Sequence, residues 1–257
     1  YFPGAADNSR SVKESSASSA LFSEDGDCLF VGNLLNRSRL TWGRFDLAVH
    51  FMPLVLQELS VSDAPLNKLI LHHIEALVEQ GEITRADFSP DIQAALYDYA
   101  ANEYNFLHRK KLLLSLSQYR VRAVGDGWEQ VREPNIQGIH TADYERDIPA
   151  LYRRTPVTVG ISSCESITAA PLDVFSCFAA GGFMLSDYKE DLAHFFSEGE
   201  EIEYYRTSGE LKEKIDFYLE HPRKREEISK RARDKILQEH TWERRVIKLI
   251  EEMDRIS

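Results

Sequence analysis

The 257-residue sequence predicts an α/β fold: a Rossmann-like parallel sheet with helices on both faces, plus a helical insertion at about 42–117. Short apolar runs alternate with segments of helical period from Arg120 onward, the rhythm of strands joined by crossover helices. Pro171–Tyr188, PLDVFSCFAAGGFMLSDY, condenses that rhythm into one helix, a Gly181–Gly182 stop and a buried strand. Trp42–Ser117 is instead largely helical in pattern and shows no repeat.

In chain order, residues 1–26 are rich in Ser, Ala, Asp and Gly and read as a solvated linker, leaving 27–257 as the folded lobe. Cys28–Val31 is a short apolar strand ending at Gly32–Asn33. Within the insertion, Leu66, Leu69, Ile70, Ile74, Leu77 and Val78 form one stripe, stopped by Gly81. Ser89-Pro90-Asp91 opens the next helix with an N-cap and an N1 proline, and its pattern runs to Leu116. Val121–Val124 and Ile136–Ile139 are strands, the first ending in the turn Gly125-Asp126-Gly127-Trp128. An amphipathic helix Asp143–Arg154 and a strand Val157–Ile161 follow.

The central helix then presents Leu172, Phe175, Phe178 and Ala179 as an apolar stripe, with Thr168 as N-cap and Gly181 at the left-handed C′ position. Gly182 is expected to share the positive φ of that stop, and a strand begins at Phe183. A helix near Lys189–Phe196, a strand Ile202–Tyr204 and helices Ser208–Glu220, Pro222–Glu239 and Thr241–Ile256 complete the chain.

Composition excludes several classes. With 42 acidic and 31 basic side chains the formal net charge is −11, which opposes general attraction to nucleic acid or anionic membranes. The basic run PRKREEISKRARDK alternates sign and reads as a solvated helix face. No apolar run approaches the ~18 residues of a membrane span. Cys28, Cys164 and Cys177 have neither metal spacing nor an even count, which fits a reducing cytoplasm. His72–His73 and the other histidines form no metal set.

A doubly wound sheet binds ligands beyond the C-terminal ends of its strands. Three such ends carry small or polar loops: Gly32–Asn33, Gly125–Trp128 and Ile161–Glu165. Glycine lets backbone approach a pyrophosphate, and Arg37 or Arg39 would hold it bidentately; a tight turn with surface arginines is the alternative. Trp128, after Gly127, either stacks on a base or simply packs. Ser162, Ser163 and Glu165 offer hydroxyls and a carboxylate, or cap the helix that follows. That helix aims its free N–H groups and positive dipole end at the same edge, so an anion is the natural occupant.

The segment from Pro171 to Tyr205, with ELKEKIDFYLEHPRKREEISKRARDKILQEHTWERR after it, resembles the C-terminal half of the CgeB-like spore-maturation glycosyltransferases, a bacterial family of the GT-B group. The shared pattern is an R-x-F-[DE]-x-L-A-x-G-G core, an acidic "LF…G.E" segment, a "YLEHPEER" helix and a terminal "HTY…R". Phe30-Val31-Gly32-Asn33 is similar to the family's FVGN opening of the donor lobe, Gly125–Trp128 to its GxGW segment, and Glu103 with Arg109 to its E…R helix. The similarity runs from about Cys28 to the C-terminus. YFPGAAD at the start resembles the end of the family's N-terminal domain, which implies that the acceptor-side lobe is absent here.

The resemblance implies glycosyl transfer from a nucleotide-activated sugar, which is a substrate; no cofactor or metal is expected. The acceptor would meet the missing lobe. Two departures stand out. The family carboxylate that binds ribose is Ser176 here, and the family arginine is Asp173. Asp173 lies at i−3 on roughly the same side of the helix and is the alternative ribose ligand; a solvated surface acid is the other reading. A non-catalytic nucleotide-sugar-binding lobe is the rival function, and a protein for a non-glycosyl phospholigand the more distant one.

Overall fold

The computed structural model describes residues 26–34, 45–59, 66–82, 84, 89–140 and 142–256. The linker assigned to 1–26, apart from Gly26, lies outside the described residues, as do Arg37 and Arg39. In chain order the elements are β1 (Cys28–Val31), α1 (Phe45–Leu59), α2 (Leu66–Glu79), α3 (Pro90–Ser115), β2 (Val121–Val124), a 3-10 turn at Trp128–Gln130 and β3 (Ile136–Ile139). Then come α4 (Asp147–Arg154), β4 (Val157–Gly160), α5 (Leu172–Ala180), β5 (Met184–Asp187), α6 (Glu190–Phe195) and β6 (Glu203–Tyr205). Three helices close the chain: α7 (Ser208–Glu220), α8 (Pro222–Glu239) and α9 (Trp242–Ile256).

These elements divide into two compact units. The helical unit holds 34–111 and 163–167. Its core joins Met52 and Val55 of α1, the stripe Leu66, Leu69, Ile70 and Ile74 of α2, and Leu96, Ala100 and Ala101 of α3. Leu77 and Val78 close the predicted stripe in partly buried positions. Gly81, at φ 72°, follows α2, and a Cβ there would meet nothing within 4 Å.

The other unit is a six-stranded sheet in the order β3-β2-β1-β4-β5-β6, with every pair parallel. That is the doubly wound, Rossmann-like order, reversing between β1 and β4. All four residues of β4 are buried, as expected of an interior parallel strand covered on both faces. In the core, α5 buries Val174, Phe175, Cys177 and Phe178 to 1% exposure or less. Each large side chain so buried contributes about 1.5–3 kcal/mol. Of the predicted stripe, Phe175 and Phe178 are buried and Ala179 packs against the core, whereas Leu172, in the first turn, is 53% exposed.

The stop after α5 is a Schellman motif, in which Gly181 N–H donates to the Phe178 carbonyl and Gly182 N–H to the Cys177 carbonyl, both at 2.9 Å. Gly181 takes φ 87°, whereas Gly182 does not have a positive φ. Gly182 is instead constrained by space, since a Cβ there would lie 2.8 Å from the Tyr152 carbonyl oxygen and 2.8 Å from Cys177 Sγ. Thr168 is not the N-cap; Pro171 holds that position in extended conformation and gives no side-chain bond.

Two later helices do have side-chain caps. Thr207 Oγ1 accepts from Glu210 N–H at 3.1 Å, and the Glu210 carboxylate accepts from Arg206 N–H at 2.8 Å. Thr241 Oγ1 accepts from Arg244 N–H ahead of α9. Trp242, at the start of α9, is 47% exposed. His240 before it is the packing anchor, its ring 5.2–6.1 Å from those of Phe175, Phe195 and Phe196.

Candidate functional site

The C-terminal ends of the strands carry the candidate site, and its loops are tied together pairwise. Beyond β1 and β2, Trp128 Nε1 donates to the Gly32 carbonyl at 2.7 Å, and Asn33 Oδ1 accepts from Asp126 N–H at 3.0 Å. Gly125 makes this approach possible, because a Cβ there would fall 2.6 Å from the Gly32 oxygen. Gly127, at φ 92°, turns the chain into the 3-10 turn and donates to Glu129 at 2.9 Å. His140 Nδ1, beyond β3, lies 3.3 Å from the Asp126 carboxylate.

Trp128 is fully buried, edge-on to Phe30 at 5.6 Å. Base stacking is therefore closed to it, and packing, the alternative left open by the sequence, describes it. Asn33 remains exposed at the rim.

On the other side of the strand reversal, Ser162 N–H and Oγ both donate to Asp187 Oδ1, at 3.1 and 2.9 Å. Lys189 Nζ stands 3.7 Å from Asp187 Oδ2. The Tyr205 hydroxyl donates to the Gly160 carbonyl at 2.7 Å. Arg206 stacks over Tyr188 at 4.5 Å and pairs with Glu198 at 3.5 Å. Asp187, Lys189, Tyr205 and Arg206 were not singled out by sequence reasoning. The signal available was their shared place at the ends of β5 and β6, at the same edge as Ser162.

α5 begins at this edge with no side-chain cap and one acid in its first turn, Asp173. The Asp173 carboxylate accepts from Val174 N–H at 3.0 Å. Burial, and next the charges of Cys177 and Asp173, push the Tyr152 hydroxyl well above its ordinary pKa. Burial chiefly does the same to Tyr205, with Asp187 and Asp173 adding to it. The Asp173 charge thus lies near two buried phenols, and the Tyr152 hydroxyl has no hydrogen-bond partner among the described residues. Ser176 Oγ, one turn on, donates to the Leu172 carbonyl at 3.1 Å.

Ser163 and Glu165 belong to the helical unit rather than to the sheet. Asn105, 2% exposed, donates to Glu165 at 2.9 Å and accepts from Cys164 N–H at 2.9 Å. Burial pushes the Glu165 carboxyl up, but hydrogen bonds led by Asn105 outweigh it and hold the group below the usual range. Glu165 is a structural tie within its unit. Burial is the main reason that the Cys28 and Cys164 thiols are pushed up to about 12, so neither supplies a thiolate nucleophile near neutral pH.

Comparison with known proteins adds one family. Residues 106–251, more than half of the chain, match the family described as Glycosyl transferase-like. No curated protein matches the chain. Among solved structures, sucrose-phosphate synthase from Thermosynechococcus elongatus aligns with a TM-score of 0.45 and 14% identity, over 57% of this chain and 42% of that one. The chain thus spans less than half the length of that structure. Among the described residues, no helix is long and apolar enough to cross a membrane, and no three His, Cys, Asp or Glu side chains are grouped to hold a metal ion.

Proposed function

The chain belongs to the glycosyl transferase-like family, and from that premise we propose that it is the donor-binding lobe of a CgeB-like glycosyltransferase, moving a sugar from a nucleotide-activated donor to an acceptor. The carrying observation is that the matched span, 106–251, runs from within α3 through β2–β6 into α9 and so includes the uncapped α5 at the strand reversal.

In this reading the donor diphosphate lies before α5, whose N-terminal N–H groups and dipole stabilise the charge left on the departing nucleotide. A carboxylate repels phosphate and accepts from hydroxyls, so Asp173 takes the ribose. Lys189, beside Asp187 and Ser162, supplies a cation at the same edge. Groups that hold the acceptor come from a facing lobe.

One observation favours a second reading, a nucleotide-sugar-binding lobe without catalysis. The Ser176 hydroxyl, where the family carries its ribose carboxylate, is spent on the Leu172 carbonyl. Calorimetric titration with UDP, GDP, dTDP and their sugars tests the shared core of both readings; failure of every nucleotide to bind would overturn it. A donor-hydrolysis assay on the chain joined to a facing lobe then separates enzyme from binding lobe. Turnover supports the enzyme, and tight binding without turnover supports the second reading.

A further inference from the structure

At the opposite edge of the sheet lies a cavity of about 490 Å³, within the sheet unit alone. It is framed by the C-terminal ends of α4 and α5, by the chain entering β4 and β5, and by one face of α8. Five cations line it, Arg153, Arg154, Arg225, Lys230 and Arg233, against two carboxylates, Glu226 and Asp234. The chain as a whole carries −11, so this cavity inverts the prevailing sign. Its volume falls in the range of small-molecule sites.

Cations near helix C-termini have a simpler role, as partners for the last carbonyls. Two of the five do this: Arg225 donates to the Tyr218 carbonyl, and Arg233 Nε to the Ala179 carbonyl at 3.2 Å. Lys230 pairs with Asp234 at 3.5 Å. Neither Arg225 nor Arg233 spends all of its donors this way. A guanidinium has five N–H donors, and one carbonyl takes few of them. Arg225 also stands in the first turn of α8, which holds no acid, the reverse of what a helix dipole favours at that end. A bound anion would offset the like charge gathered in the cavity, and planar guanidinium forks match phosphate oxygens in particular.

We propose that this cavity binds a small phosphate-bearing anion, at a place separate from the strand C-terminal edge assigned to the sugar donor. Arg153 and Lys230, both exposed at its mouth, grip the phosphate; Arg225 and Arg233 hold the walls.

Amide chemical-shift mapping of the 257-residue chain with pyrophosphate as probe tests this, because position separates the two sites. The expected result is saturable shifts at Gly181, Gly182 and Ser229, whether or not Gly125–Trp128 also respond. Arg153→Gln/Lys230→Gln should weaken the response at the cavity about tenfold or more with an unchanged melt, the scale of losing charge-assisted contacts. Arg153→Gln alone should give a smaller loss and serves if the double variant melts early. Unmoved cavity amides at millimolar probe, or wild-type affinity there in the folded variants, would overturn the proposal. Shifts confined to Gly125–Trp128 would overturn it too, while leaving the donor site standing.

Discussion

Gly182→Ala adds one methyl group where the stop after α5 abuts Tyr152 of α4. The new Cβ would sit 2.8 Å from the Tyr152 carbonyl oxygen, 2.8 Å from Cys177 Sγ and 3.0 Å from Tyr152 Cβ. Tyr152 is 1% exposed and Cys177 fully buried, so neither neighbour has free space to retreat into. Overpacking of this kind costs about 1–3 kcal/mol. For a chain of this size that lowers the melting temperature by roughly 2–12 °C, and Gly182→Val should exceed it. Gly181→Ala is the control: its φ is 87° but nothing lies within 4 Å, so only the left-handed strain applies, about 1 kcal/mol. Adding Cys177→Ala to Gly182→Ala removes the sulfur but leaves the carbonyl, so it should recover part of the loss. Thermal melts followed by circular dichroism measure all four variants. A Gly182→Ala melt matching wild type, or a larger loss from Gly181→Ala, would refute the packing argument.

Asp173→Asn should weaken nucleoside diphosphate binding by about 1–3 kcal/mol, the range for a bond to a charged group, with Ser176→Ala well below that; calorimetry reads both. Trp128→Phe gives up the indole bond to the Gly32 carbonyl and leaves space beside Phe30, so urea denaturation should show a loss of about 1–3 kcal/mol. His240 is held below its ordinary pKa of 6.5, first by burial and then by Arg245, with Lys248 and Lys235 adding and Glu239 opposing. The unfolded chain therefore takes up this proton before the folded one. Stability from this group is complete above pH 6.5 and is lost as pH falls below it; urea midpoints between pH 8 and 5 should show that slope reduced in His240→Phe.

The strands were legible because each is a compact apolar run flanked by turn residues, and β1, β2 and β3 have the limits their residues implied. The start of α5 was not, because Thr168 has the chemistry of a cap while extended backbone at Pro171 lets the helix begin later. The apolar stripe misled for a related reason: in a helix packed on two sides, first-turn Leu172 has nothing to cover it. The two glycines of the stop looked alike, yet one answers to φ and the other to the Tyr152 carbonyl, a neighbour thirty positions away.

Separation along the chain also hid part of the candidate site. Asp187 meets Ser162 only because β4 and β5 are paired in register, Gly160 opposite Ser186. Local pattern finds the loops after each strand, but which loops meet is fixed by strand order. That order also divides the SSCES loop: Ser162 stays with the sheet, while Glu165 is drawn to Asn105 in the helical unit. The ribose assignment inherits this logic. At the start of α5 the charge near the buried phenols is that of Asp173, while the hydroxyl at the family's position is turned back on its own helix. These two observations are the reason the proposed reading gives the ribose to Asp173 rather than to Ser176.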